Sequence, residues 1–144
     1  MAEPWIYPAT LVRAIDGDTV VLTLSKDVSI DFGLRFKMST QALFTGPFRI
    51  AGIDAPELHS KNAKEVKAAK AAKAALEEIL RMGALTVRSF KPAGELEEDK
   101  YGRWLCSIDI HLPDGSILDL ATELVRRKLA VAYMGGARTP WTDD

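Results

Sequence analysis

Apolar and polar positions along the chain change their period several times, and each change marks an element. Pro8 to Leu24 (PATLVRAIDGDTVVLTL) carries two β-branched, apolar runs on either side of Asp16-Gly17-Asp18, which predicts a hairpin turned by the Asp-Gly step. Val28, Ile30, Phe32, Leu34 and Phe36 alternate with polar or small residues, as a strand would, and Ser39 to Pro47 reads as a loop. Phe48 to Ile53 is a short apolar strand, ended by Asp54-Ala55-Pro56-Glu57. Residues 62–82 predict a helix rich in Ala, Lys, Glu and Leu, with Asn62 as N-cap, Val66, Ala69, Leu76, Ile79 and Leu80 facing inward, and Gly83 as the stop. Leu85 to Phe90 reads as a strand, followed by a polar loop from Lys91 to Lys100. From Trp104 to Leu112 the alternation is clean: Trp104, Cys106, Ile108, Ile110 and Leu112 share one face, and Ser107, Asp109 and His111 the other. Pro113-Asp114-Gly115 predicts a turn, and Leu118 to Ala130 a second helix capped by Asp119, with Leu120, Leu124 and Leu129 apolar. Residues 134–144 are expected to fray.

Three strands, a helix, two strands and a helix predict a small α+β domain. A five-stranded Greek-key barrel of the OB type fits this order, with the long helix between strands three and four and the second helix after strand five. At 144 residues, 47% of them hydrophobic, the chain is expected to form one domain over 1–144 with its own core. No run approaches the length a membrane span needs, so no membrane partner is expected. The first residues, MAEPWIYPAT, lack a basic region followed by an apolar stretch. The expectation is therefore no signal peptide: a cytoplasmic protein if full-length, a secreted one if an export signal has been removed.

Charge and cysteine content narrow the chemistry. The single Cys106 excludes an internal disulfide framework and a cysteine-based zinc site. A net charge of −1 means that any polyanion-binding surface must concentrate its positive charge locally. Asp18 ends the Asp-Gly-Asp turn, while Asp54 and Glu57 stand three apart at a strand end. Pro56 between them holds φ near −65° and makes a rigid corner. Carboxylates at strand ends, beside backbone carbonyls, suit a hard dication such as Ca²⁺ or Mg²⁺. The same acids would also serve as plain turn caps, and spacing alone does not separate the two readings. Arg49, at an inner strand position where an unpaired charge is costly, and Arg103, at the mouth of the fifth strand, offer guanidinium forks suited to phosphate oxygens.

Four segments in order, PATLVRAIDGDTVVL, FRIAGIDAPE, DKYGRWL and ELVRRKLA-VAY, resemble the staphylococcal nuclease (thermonuclease) family over most of residues 8–133. The resemblance implies the OB-type barrel and a Ca²⁺-dependent phosphodiesterase that cleaves DNA and RNA with little sequence specificity. Such an enzyme breaks the P–O5′ bond and leaves 3′-phosphates. It implies metal carboxylates at Asp18 and Asp54, a metal-coordinating backbone carbonyl at Ala55, and a supporting acid at Asp16. It implies Arg49, Glu57 and Arg103 as catalytic residues, Lys100 and Tyr101 at a terminal phosphate, and Tyr133 beside the base. The rival readings are a non-catalytic OB-type module that binds nucleic acid or protein, and small-nucleotide hydrolysis or partner binding through the same phosphate site.

This chain departs from the staphylococcal pattern in four places. The stretch 25–47 is longer and reads as an extended hairpin. The acidic loop Glu95–Asp99 lies beside Lys100, Gly135 stands in place of a base-stacking aromatic, and no third helix is expected before Asp144. The lysines at 64, 67, 70 and 73 spiral over the helix girth and read as a solvated face. Cys106 reads as a small buried hydrophobe, His111 as plain surface, His59, two residues past Glu57, as a residue outside the active loop rather than in it, and Trp5 and Trp141 as covers for apolar surface.

Overall fold

A computed structural model describes residues 5–89 and 104–133, with the side chain of Trp5 left out. The expectations for Lys91–Arg103, which include Lys100, Tyr101 and Arg103, fall outside the described residues. So do those for Phe90, for 134–144 with Gly135 and Trp141, and for the Trp5 side chain.

Alternating apolar positions build a chain of antiparallel strands. β1 (Trp5–Asp16) turns at Gly17-Asp18 into β2 (Thr19–Asp31), which pairs along its whole length with β3 (Lys37–Ile50). β1 also pairs with β5 (Ala84–Ser89), and β5 with β6 (Trp104–His111). The ring closes where Phe48, Arg49 and Ile50 of β3 lie parallel to Trp104, Leu105 and Cys106 of β6. The result is the expected closed five-stranded barrel with two helices, an α+β fold of the OB type. Val20, Leu22, Phe48, Ile50, Val87, Cys106, Ile108 and Ile110 fill it from alternate positions of four strands, β2, β3, β5 and β6.

Three short strands join this frame. β4 (Ile53–Asp54) pairs with β8 (Val131–Ala132), and β7 (Ile117–Asp119) extends β6. Two residues apiece leave no periodicity to read, which is why β4 and β8 are invisible in the sequence pattern. The long hairpin is present, and it corrects the loop expected from Ser39 to Pro47. That stretch is strand, held by a continuous register from Thr19↔Arg49 to Asp31↔Lys37. The strand expected over Val28–Phe36 instead ends at Asp31, and the chain reverses through 32–36.

α1 (Ala63–Leu80) begins as expected at Asn62, whose side chain accepts from the N–H groups of Lys64 and Glu65. Its buried stripe is Glu65, Ala69, Ala72, Leu76, Ile79 and Leu80. Val66, expected inward, is only partly covered, and Glu65 takes the inner place. Gly83 does not stop the helix, which is capped at Arg81. It is needed because a Cβ there would sit 2.0 Å from the His111 carbonyl oxygen. Lys64, Lys67 and Lys70 are solvated as expected.

α2 (Leu120–Arg126) is shorter than the helix expected over Leu118–Ala130. Leu118 pairs with Ile110 in β7 instead, although Asp119 caps the helix as read. At the far end Lys128 turns left-handed at φ 60°, with the Leu129 N–H reaching Leu124 O and the Lys128 N–H reaching Val125 O. This double bond is a Schellman closure with lysine where glycine is usual. Lys128→Gly is expected to raise stability by about 0.5–1 kcal/mol in urea unfolding, because a left-handed L-residue costs more than the added chain entropy of glycine.

Glu123 of α2 is buried and accepts from Arg126 Nε and Nη2 at 2.8 and 2.6 Å and from Arg127 Nε. The hydrogen bonds from Arg126, then Arg127, pull its carboxyl from 4.5 down to about 2. A depressed folded-state value stabilises above the unfolded one and fades as pH falls. The melting-temperature gap between the protein and Glu123→Gln is therefore expected to hold above pH 4.5 and to close toward pH 2.

Candidate active site

Three separate pieces of chain meet at one end of the barrel. The first is the β1–β2 turn, which carries Asp18. Gly17 beside it has no room for a side chain: a Cβ would lie 2.8 Å from Ala55 Cβ and 2.9 Å from Ala72 Cβ. This close approach lets α1 and the Asp54–Glu57 corner press directly on the turn. The second piece is the end of β3, where Phe48 and Ile50 face the core and Arg49 faces away from it. The third is β4 with the corner that follows, bearing Asp54.

The side chains close the assembly. Arg49 Nη2 donates to Asp54 Oδ1 at 3.3 Å and lies 3.6 Å from Asp18 Oδ2. Arg49 Nη1 donates to the Ile50 carbonyl at 3.3 Å. The Asp18 carboxylate is held from two further directions, by Thr19 Oγ1 at 3.0 Å and by the Ala55 N–H at 3.1 Å. Asp18 and Asp54 are each 6% exposed, and the Arg49 guanidinium between them is a counterion to both. The Ile50 N–H, bonded to Asp18 O at 2.9 Å, ties the turn to β3. Tyr133 comes to the same place: its N–H donates to Gly52 O at 2.8 Å, and its ring centre lies 5.6 Å from Arg49 Cζ.

Asp16 stands behind Asp18 and accepts its backbone N–H at 3.1 Å. Burial, a side-chain hydrogen bond with Asp18 and repulsion from it push the Asp16 carboxyl up to about 6. Glu57 is exposed at the corner. Its N–H donates to Glu65 Oε2 at 2.9 Å, and Ser60 Oγ donates to Glu65 Oε1 at 2.7 Å. Glu65, absent from the sequence reading, thus sets the loop that carries Glu57. Its signal was present: Asn62-x-x-Glu65 has capping-box spacing, and here the glutamate reaches past the cap to the acidic corner. Glu65→Ala is expected to cost about 1–3 kcal/mol in urea unfolding, since a buried acceptor of two donors is lost.

Of the residues singled out by sequence, Asp16, Asp18, Arg49, Asp54, Ala55 and Tyr133 come together, with Glu57 on the adjoining corner. The donors offered by Asp18 and Asp54 are all hard oxygens, and this chemistry fits Ca²⁺. Among the described residues no three His, Cys, Asp or Glu side chains cluster as a ready-made metal cage. Two carboxylates would leave the remaining positions to carbonyl oxygen and water.

The fold and this site define a small barrel protein of the OB type with two buried carboxylates and an arginine meeting at one place. The family model described as staphylococcal nuclease homologue matches residues 47–142, so the chain belongs to the staphylococcal nuclease family. That match includes Arg49, Asp54, Ala55 and Glu57. Asp18 lies outside it and is joined to them by geometry. No curated protein matches the chain. No described helix is long and apolar enough to cross a membrane.

Proposed function

We propose that this protein is a Ca²⁺-dependent phosphodiesterase that cuts DNA and RNA with little sequence specificity, by water attack that breaks the P–O5′ bond and leaves a 3′-phosphate. The observation that carries the reading is the convergence of two buried carboxylates from distant strands on one guanidinium, in a member of this family. Asp18, Asp54 and the Ala55 carbonyl would hold the ion. When bound, Ca²⁺ would supply a Lewis acid for the phosphate and a site that positions the attacking water.

The chain's own residues do the rest. Glu57 takes the proton from the water as its oxygen approaches phosphorus in line with the leaving O5′. Arg49 and Arg103 bind the equatorial phosphate oxygens and neutralise the charge that builds on them as phosphorus becomes five-coordinate. The leaving 5′-oxygen departs as a hydroxyl after taking a proton from solvent water. Lys100 and Tyr101 hold a neighbouring phosphate, and Tyr133 lies beside the base. Asp16 supports Asp18 from behind. Phosphate entering the site would share Arg49 with Asp18 and Asp54, and the cation would take over part of the neutralisation that Arg49 now provides.

The test is cleavage of single- and double-stranded DNA and of RNA, with Ca²⁺ and with a chelator. The expected result is cutting of all three that stops on chelation and yields 3′-phosphate ends. Cutting that persists in chelator would remove the metal from the account, and no cutting under any condition would favour a binding module on the same fold.

A further inference from the structure

The extended hairpin leaves the barrel with one apolar face and one free edge, and both lack a partner among the described residues. Pairs Leu24↔Phe44, Lys26↔Ala42, Val28↔Thr40 and Ile30↔Met38 line one face, apolar except for Lys26, whose ammonium lies 5.8 Å from the Tyr7 ring centre; Thr23↔Thr45, Ser25↔Leu43, Asp27↔Gln41 and Ser29↔Ser39 line the other, polar except for Leu43. The first face continues the barrel core outward, past the point where any described residue fully covers it. Ile30, Phe32, Leu34, Phe36, Met38 and Phe44 are 40 to 64% exposed. At roughly 100 Å² apiece they leave about 600–700 Å² of apolar surface in water, close to what one side of a standard interface buries.

The edge is the second observation. β3 pairs with β2 from Lys37 to Arg49, but its other side meets β6 only from Phe48 to Ile50. No described strand lies beside residues 37–47. Soluble proteins guard such an edge with charge, yet from Met38 to Pro47 there is no ionisable side chain. Pro47, which has no N–H to offer, stands at the inner end of the edge, where a ladder would stop in any case.

We infer that this edge and face form a two-fold interface with a second copy of the chain, β3 against β3 in antiparallel register. Two identical edges bounded by residues 37 and 47 match over their full length only when Ala42 lies on the axis, with Lys37 of one copy beside Pro47 of the other. A two-fold perpendicular to the sheet keeps both apolar faces on one side. It also carries the 32–36 tip of each copy to the root of the other's hairpin. A cavity of about 360 Å³ runs from there toward the axis, lined among others by Leu24, Lys26, Ala42, Phe44, Phe48 and Trp104. Phe32 and Phe36, whose rings lie 6.3 Å apart and tilted by 44° on the tip, are the side chains that would fill it. A bilayer fits less well, because it would leave the free backbone groups of β3 unsatisfied. A nucleic acid strand fits less well too, because this edge offers no cation between Lys37 and the barrel. The inference does not depend on the nuclease reading.

Sedimentation and cross-linking of the whole chain test it. Wild-type protein is expected at twice the monomer mass at micromolar concentration. Ala42→Lys, which sets two ammonium groups together on the axis, is expected to weaken the dimer at least tenfold while circular dichroism and cleavage stay unchanged. Ala42→Cys is expected to cross-link readily under mild oxidation. Ser39→Cys should not, because its two copies would stand about 20 Å apart along the strands. Cys106 does not interfere: it is fully buried, and burial pushes its thiol up to about 12. A monomer at all concentrations, a dimer that Ala42→Lys leaves intact, or cross-linking at Ser39→Cys rather than Ala42→Cys would overturn the inference. So would flotation of a monomer with anionic vesicles, which would assign the face to a bilayer.

Discussion

Arg49→Ala is expected to reduce cleavage by about a hundred- to a thousand-fold and, unusually for a catalytic substitution, to destabilise the fold by about 3–5 kcal/mol. Both effects have one cause. The guanidinium is 12% exposed and lies 3.3 and 3.6 Å from two carboxylates that are themselves buried. Removing it takes away the group proposed to meet the phosphate and deprives two buried carboxylates of the guanidinium they share. Arg49→Lys separates the two roles. A single ammonium should recover part of the stability, because it still neutralises, but little of the rate, because it lacks the planar fork. Urea unfolding in parallel with cleavage assays checks this. If Arg49→Ala unfolds at the wild-type midpoint, the ion-pair geometry described above is wrong.

Glu57→Gln is expected to behave in the opposite way, with turnover falling by about a hundred- to ten-thousand-fold and stability unchanged. The side chain is exposed, and what fixes its position is its backbone N–H on Glu65, which the substitution leaves in place. Substrate binding should also survive, since the change removes a proton acceptor and not a phosphate contact. Single-turnover cleavage with excess protein separates the two. Slow chemistry with normal binding supports a base at this position, and a normal rate would assign the proton transfer to another group.

The contrast between these two residues also shows what the sequence makes legible. Asp18, Arg49 and Asp54 are readable because each stands at a strand end or inner strand position, where a charge must be explained. Their meeting follows from closing the β1–β2 turn and β3 into one barrel. Glu65 was missed because it interrupts an apolar stripe, and periodicity assigns the inner place to Val66 beside it. The segment Ser39–Pro47 was misread because its Ser, Thr, Gly and Pro residues favour turns locally. Its strand conformation is imposed by β2, whose pairing runs unbroken from Thr19 to Asp31. The early end of α2 was equally hidden, since Lys128 takes a left-handed conformation without the glycine that usually signals one. Local pattern carried the order of strands and helices, and the family resemblance named the candidate site; what local pattern could not carry were contacts made by residues far apart in the chain.

The central claim is that Asp18 and Asp54 form a single divalent-cation site against Arg49. Calorimetric titration of Ca²⁺ into the wild-type protein, and into Asp18→Asn and Asp54→Asn, tests it most directly. The account predicts one binding event in the wild type, lost or greatly weakened in both variants while their secondary structure persists. Ca²⁺ binding of undiminished affinity in both variants would contradict it.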